Sequence, residues 1–278
     1  ASITMSTNSL AITAGASSVM NVLPSLAACA NEVADMRGAS QSTRANDARA
    51  RSGDKSATAI QSYSLKICNL LLEKNCKLIL IACNSASAAA YDLVKTYVGS
   101  KAVVVNVIDP VIEYLSKNWK NHTLGLIGTK QTVNSGLYAQ KAADLHQGVE
   151  IKSLATPLLA PMIEEGFFNN KISASIIEEY LQNENLQNIE GLILGCTHYP
   201  LIKNQIEQFY QGKTQVIDTS EIVAEKIRSI LIQQNLETPS KEQGDRQFFV
   251  SDYTKSFEQS TKLFFGEEIK LELYPIWD

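Results

Sequence analysis

Residues 78–90 read L-I-L-I-A-C-N-S-A-S-A-A-A, four branched apolar residues, an alanine, a cysteine, and then a run of helix formers. Leu78 to Ile81 lack the alternation of a half-exposed strand, so they predict an interior strand of a parallel sheet, covered on both faces. The strand stops at Ala82. Asn84 or Ser85 then offers a capping oxygen, and the composition of residues 86–94 continues a helix. Cys83 is thereby expected at the carboxyl end of a strand and beside a helix N-terminus, the place where α/β sheets bind ligands. Free N–H groups and the helix dipole at that point favour a thiolate and can hold a carboxylate.

The same order of residues recurs at 189–197, I-E-G-L-I-L-G-C-T, followed by His198, Tyr199 and Pro200. Pro200 suits the first turn of the helix expected over 201–209. Two strand–cysteine–helix units predict two similar half-molecules, each bringing one thiol to a common cleft. Between and around them strands and helices alternate. Strands are expected over 102–108, 123–128, 150–155, 216–218 and 248–251. Helices are expected over 59–73, from 109 to about 119, and over 131–146, 172–182, 220–234 and 254–265. An edge strand over 269–274 completes the pattern. The fold class is α/β with parallel sheets in two lobes.

At 278 residues the chain has ample length for such a core. Hydrophobic residues at 45% and charged residues at 19%, with no apolar run of membrane-span length, predict a soluble protein. A formal net charge of -4 without a Lys/Arg-rich patch speaks against nucleic acid as a ligand, so a small molecule is the expected partner. Five cysteines, Cys29, Cys68, Cys76, Cys83 and Cys196, at irregular spacing read as reduced thiols in a cytoplasmic setting. Cys68 and Cys76 lie at no strand-to-helix rim and are expected to be core fillers. No Gly-rich nucleotide loop, C-x-x-C pair or full set of metal ligands is present, and Cys196 with His198 is a weak metal signal.

Two thiols facing one cleft suit removal of a proton from one face of a carbon and delivery of another to the opposite face. Enantiomers have equal free energy, so a catalyst that interconverts them runs both ways, and one chemical type serving as acid and base matches either direction. His198 is placed to assist Cys196, and Glu164 or Glu165 to orient a histidine. That chemistry needs no cofactor. A helix-cap role for His198 and a solvated turn for the two glutamates are the alternatives, while His122 and His146 are expected at the surface.

A-C-N-S-A-S at 82–87 and G-C-T-H-Y-P at 195–200 resemble the two signature motifs of glutamate racemases, within the aspartate/glutamate racemase superfamily. G-D-K-S at 53–56, N-V-I-D-P at 106–110, M-I-E-E-G at 162–166 and V-S-D at 250–252 fit the same pattern, so the resemblance runs from about residue 53 to the end. It implies two lobes related by a pseudo-twofold axis, residues 1–105 plus 217–278 and residues 106–216, with the active site between them. It also implies cofactor-independent conversion of L- to D-glutamate for peptidoglycan synthesis, commonly by a homodimer. Carried over, Cys83 and Cys196 are the acid/base thiols, with His198 and Glu164 assisting Cys196. Asn84, Ser85, Thr197, His198 and Gly53 then hold substrate.

Residues 1–52 depart from that pattern. They hold no aromatic residue and are rich in Ala, Ser, Thr and Asn. They read as a small-residue α/β start, as a transit-like segment, or as sequence unfaithful to the fold. The family's Asp-Ser-Gly and Pro-Tyr-Gly motifs would fall near Met20-Asn21 and on Arg51-Ser52, and neither is present. Two alternatives therefore stand beside a glutamate racemase. One is an aspartate or other amino-acid racemase of this fold, and the other is a glutamate-binding relative without turnover.

Overall fold

The computed structural model describes residues 18–20, 56–236, 245–250 and 270–273. In chain order the elements that frame the site begin with β1 (Ser18–Met20), α1 (Ala57–Glu73), β2 (Leu78–Ile81), α2 (Asn84–Val98), β3 (Val103–Asn106) and α3 (Ile108–Asn118). They continue with β4 (Thr123–Gly128), α4 (Lys130–Asn134), α5 (Leu137–Asp144), β5 (Glu150–Ala155), α6 (Leu159–Glu164) and α7 (Lys171–Leu181). After β6 (Gly191–Gly195) a 3₁₀ turn at Tyr199–Ile202 leads into α8 (Lys203–Tyr210), β7 (Gln215–Ile217) and α9 (Thr219–Gln233). The chain then forms β8 (Asp245–Val250) and β9 (Leu271–Leu273). The protein is an α/β structure with parallel strands.

Every strand pair among the described residues is parallel. β2 pairs with β3 from Leu78↔Val103 to Ile81↔Asn106. A second sheet runs β5-β4-β6-β7, and a third β1-β8-β9. The run Leu78 to Ile81 has no alternation because both faces of β2 are covered. Ile79 and Ile81 pack against Ile60, Ile67 and Leu71 of α1 and Ala90 and Val94 of α2. Leu78 and Leu80 pack against Val223, Ile227 and Leu231 of α9. β6 repeats the arrangement, with Leu192 and Leu194 on Leu159, Ile163, Ile177 and Leu181, and with Ile193 on the opposite face against Leu115, Tyr138 and Ala142. Each such side chain contributes about 1.5–3 kcal/mol when removed from water, so the two cysteine-bearing strands are also among the most firmly held. Cys68 and Cys76 are buried in the α1–α2 core, as fillers would be.

Two local expectations are corrected. The helix expected over 131–146 is two helices, because Gly136 takes a left-handed φ of 66° and breaks the chain between α4 and α5. Tyr138, at the start of α5, lies in the interior at 1% exposure. The helix expected at 201–209 begins as a 3₁₀ turn at Tyr199, with Pro200 in its first turn, before the α-helical part at Lys203. The helix expected over 254–265 and Gly53 lie outside the described residues, as do residues 21–52. In the atypical start, residues 18–20 form a strand that pairs with β8 from Ser18↔Asp245 to Met20↔Gln247.

β4 and β6 approach closely where they end. A Cβ built on Gly195 would meet the Ile127 carbonyl oxygen at 2.8 Å and Leu126 Cδ1 at 2.7 Å. Gly195→Ala is therefore expected to cost about 1–3 kcal/mol, since backbone on one side cannot yield. A lowered urea midpoint checks it, and an unchanged midpoint would show that β6 shifts freely.

Candidate active site

Cys83 follows β2 by two residues and is itself the N-cap of α2, at φ -82° and ψ 127°, with no side-chain capping bond. This corrects the expectation that Asn84 or Ser85 caps the helix. Both are inside its first turn, buried at 3% and 1%, and their side chains make bonds to other elements instead. The Tyr138 hydroxyl donates to Asn84 Oδ1 at 2.7 Å. Ser85 Oγ lies 2.8 Å from Thr129 Oγ1 and 3.3 Å from Thr132 Oγ1. Ser87 donates to the Ile81 carbonyl at 2.9 Å and accepts from the Val107 amide at 3.3 Å, tying the end of β2 to the start of α3. The first N–H groups of α2 have no helical acceptor, which leaves them available to an anion beside Cys83.

Cys196 follows β6 directly and is buried at 7%, with His198 at 3% and Thr197 half-buried. Cys196 Sγ lies 3.5 Å from His198 Nδ1. On the other side of the ring His198 Nε2 lies 3.2 Å from Glu164 Oε1, at the end of α6. With Nε2–H donating to the carboxylate, Nδ1 presents a lone pair to the thiol, which is the geometry of a base oriented by a third group. Glu165, the other glutamate weighed, is exposed. His122 is partly exposed beside Glu190 and His146 is exposed, so neither belongs to the site.

Burial pushes the Cys196 thiol well above its ordinary range. The amides of His198 and Thr197 pull the other way, and the charges of Cys83 and Glu164 add to the upward push. The Cys83 contribution is electrostatic only, and each thiol is placed by its own strand end. Burial thus favours the neutral thiol of Cys196 over its thiolate.

Burial also moves Cys68 from 9.0 to about 12. Unfolded thiols ionise near their ordinary value while these two stay protonated, so above that value the unfolded state binds fewer protons. Stability is complete below about pH 9 and falls as pH rises, by about 1.4 kcal/mol per pH unit for each thiol. Urea unfolding at pH 8 and pH 10.5 checks this, and equal midpoints would contradict it.

The sequence assigns no role to Thr129, Thr132, Tyr138, Thr156 or Tyr199. Thr129 caps α4, accepting from the Thr132 amide at 3.2 Å. Its signal was present, because L-G-L-I-G-T at 124–129 is a third apolar strand ending on a reactive side chain before a helix. Thr156, fully buried after β5, has its hydroxyl 2.7 Å from that of Tyr199. Tyr138 and Tyr199 left no local signal, since a tyrosine on a helix reads as core. Among the described residues no cluster of three or more His, Cys, Asp or Glu could hold a metal ion, and no helix is long and apolar enough to cross a membrane.

Known proteins resemble this chain. The family described as Asp/Glu/hydantoin racemase matches residues 15–227, which include both cysteine units. A glutamate racemase of Sulfurihydrogenibium is 34% identical over 232 residues, 83% of this chain and 85% of the relative. One of Chlorobaculum parvum is 33% identical over 222 residues, 80% of this chain and 81% of the relative. Among solved structures, glutamate racemase from Francisella tularensis in complex with D-glutamate is similar with a TM-score of 0.75 and 32% identity, over 83% of this chain and 85% of that one. An isoform from Bacillus anthracis is similar with a TM-score of 0.73 and 26% identity, over 80% and 84%. With both thiol-bearing strand ends inside the matched region, this chain belongs to the Asp/Glu/hydantoin racemase family.

Proposed function

We propose that the protein racemises glutamate, without a cofactor, by two-base proton transfer at Cα between Cys83 and Cys196. The observation that supports this reading is the chain Cys196–His198–Glu164 just past one parallel strand, matched by Cys83 just past another at the start of a helix. The glutamate racemases that resemble the chain over four-fifths of its length favour glutamate as substrate.

In each turnover one sulfur is a thiolate and the other a thiol. The thiolate takes the α-proton, the bond electrons delocalise into the substrate carboxylate, and the opposite thiol returns its proton to the other face. The sulfurs end with their protonation states exchanged, and solvent resets them. When Cys196 begins as thiol it is the acid. When it begins as base, its proton must first leave, and His198 Nδ1 is the acceptor in reach, with Glu164 stabilising the imidazolium. Asn84, Ser85 and Thr197, with the first amides of α2, hold the substrate's charged groups, and Thr129 and Thr132 extend the Ser85 hydroxyl cluster. Gly53 is part of the same proposal.

The lobes in this reading are residues 1–105 plus 217–278 and residues 106–216, with the cleft between them. D-Glutamate made here would serve peptidoglycan synthesis, from a cytoplasmic homodimer. The test is incubation of purified, chelator-treated protein with L-glutamate and, separately, L-aspartate. D-Glutamate formation at the higher kcat/KM supports the reading. Preference for aspartate would favour the sister activity, and glutamate binding without any D-glutamate would favour a relative that has lost turnover.

A further inference from the structure

Tyr138 is buried at 1% among Ile108, Val111, Leu115 and Ala142, on the helix that Gly136 opens as its left-handed N-cap. Burial, reinforced by the charge of Asp109, pushes its phenol far above the ordinary range, so it keeps its proton at any working pH. A buried hydroxyl with one proton needs one acceptor, and that acceptor is Asn84 Oδ1 at 2.7 Å. Asn84 is itself 3% exposed and directly follows Cys83. With Oδ1 engaged, the amide cannot turn over without leaving the phenol proton and its own oxygen unmatched. Its two N–H donors are the polar edge that remains to be offered elsewhere.

We propose that Tyr138 is a positioning residue that locks the Asn84 amide with its N–H edge toward the substrate carboxylate. This rests on the glutamate racemase reading above. An amide free to flip would present oxygen to a carboxylate for part of the time, and two acceptors facing one another repel. The lock crosses from α5, after β4, to α2, after β2, so Asn84 takes its orientation from a different element than the one that carries Cys83. Ser85 is held in the same way by Thr129 and Thr132, and two consecutive residues beside the thiol are thus set from outside their own helix.

The test is steady-state racemisation in both directions by the parent, Tyr138→Phe, Asn84→Ala and the double variant. Loss of the Tyr138 bond frees the Asn84 amide and weakens its hydrogen bond to the substrate carboxylate, which predicts that KM rises about tenfold in Y138F, with kcat changed less than about threefold. Equal free energies of the enantiomers require kcat/KM to fall equally in both directions. In the Asn84→Ala background the Tyr138→Phe change should add less than about a further twofold, because Tyr138 acts through Asn84. A merely structural tyrosine would lower the urea midpoint in both backgrounds and leave KM alone. An active parent with unchanged KM in Y138F, or full additivity in the double variant, overturns the positioning role and leaves the racemase reading standing. A parent that makes no D-glutamate overturns both.

Discussion

Cys83→Ala and Cys196→Ala are each expected to reduce glutamate racemisation by at least about a thousandfold, the upper part of the range for loss of a positioned acid or base. The expected loss is severe for both because the proposed two-base mechanism uses each thiol in every turnover, as base in one direction and acid in the other. Neither has a substitute, since His198 addresses Cys196 and not the reacting carbon in this arrangement. The two variants should fold. Cys83 is only half-buried, and Cys196→Ala removes one sulfur from a site already packed by Leu159 and Tyr199. Coincident urea midpoints with lost turnover are the expected result. The double variant should be little slower than either single one, because groups that act as a unit do not add. More than about a tenth of parental activity in either variant would mean that the second thiol is dispensable.

Glu164→Gln is expected to lower kcat/KM by about ten- to a hundredfold. Glu164 is 22% exposed, and its carboxylate faces the imidazole nitrogen away from Cys196. The amide keeps the size but loses the charge that stabilises imidazolium, so the variant is impaired when Cys196 must give up its proton. The fall in kcat/KM must still be equal for L- and D-glutamate, as the enantiomers have equal free energy. The asymmetry appears instead in isotope effects. For the enantiomer deprotonated by Cys196, α-deuteration should slow the variant more than the parent. For the other enantiomer the isotope effect should fall or stay unchanged. Equal increases for both would show that Glu164 serves the site as a whole.

The strand positions other than β1, and the two thiols at their strand ends, were legible because buried parallel strands and strand-to-helix junctions leave local marks. Leu78 to Ile81 declared itself by having no alternation, and β5 was expected over the residues it occupies. Cross-chain hydrogen bonds leave no such mark. Asn84 and Ser85 are good caps by composition, yet the bonds to Tyr138, Thr129 and Thr132 use their side chains, and Cys83 takes the cap position. The joined helix over 131–146 failed at Gly136, where one left-handed residue outweighed the apolar spacing on both sides. His198 and Glu164 lay in between. Each was singled out for its chemistry, but only the fold could bring residues from α6 and the end of β6 to 3.2 Å.

The most direct test of the two-thiol account is racemisation of L-glutamate in deuterated water, stopped at low conversion, with both enantiomers separated and examined for α-deuterium. The account predicts deuterium in the D-glutamate formed and almost none in the L-glutamate that remains, because one thiol removes the proton and a different, solvent-exchanged thiol supplies its replacement. Deuterium appearing equally in both enantiomers would mean one base serving both faces, and would contradict the account.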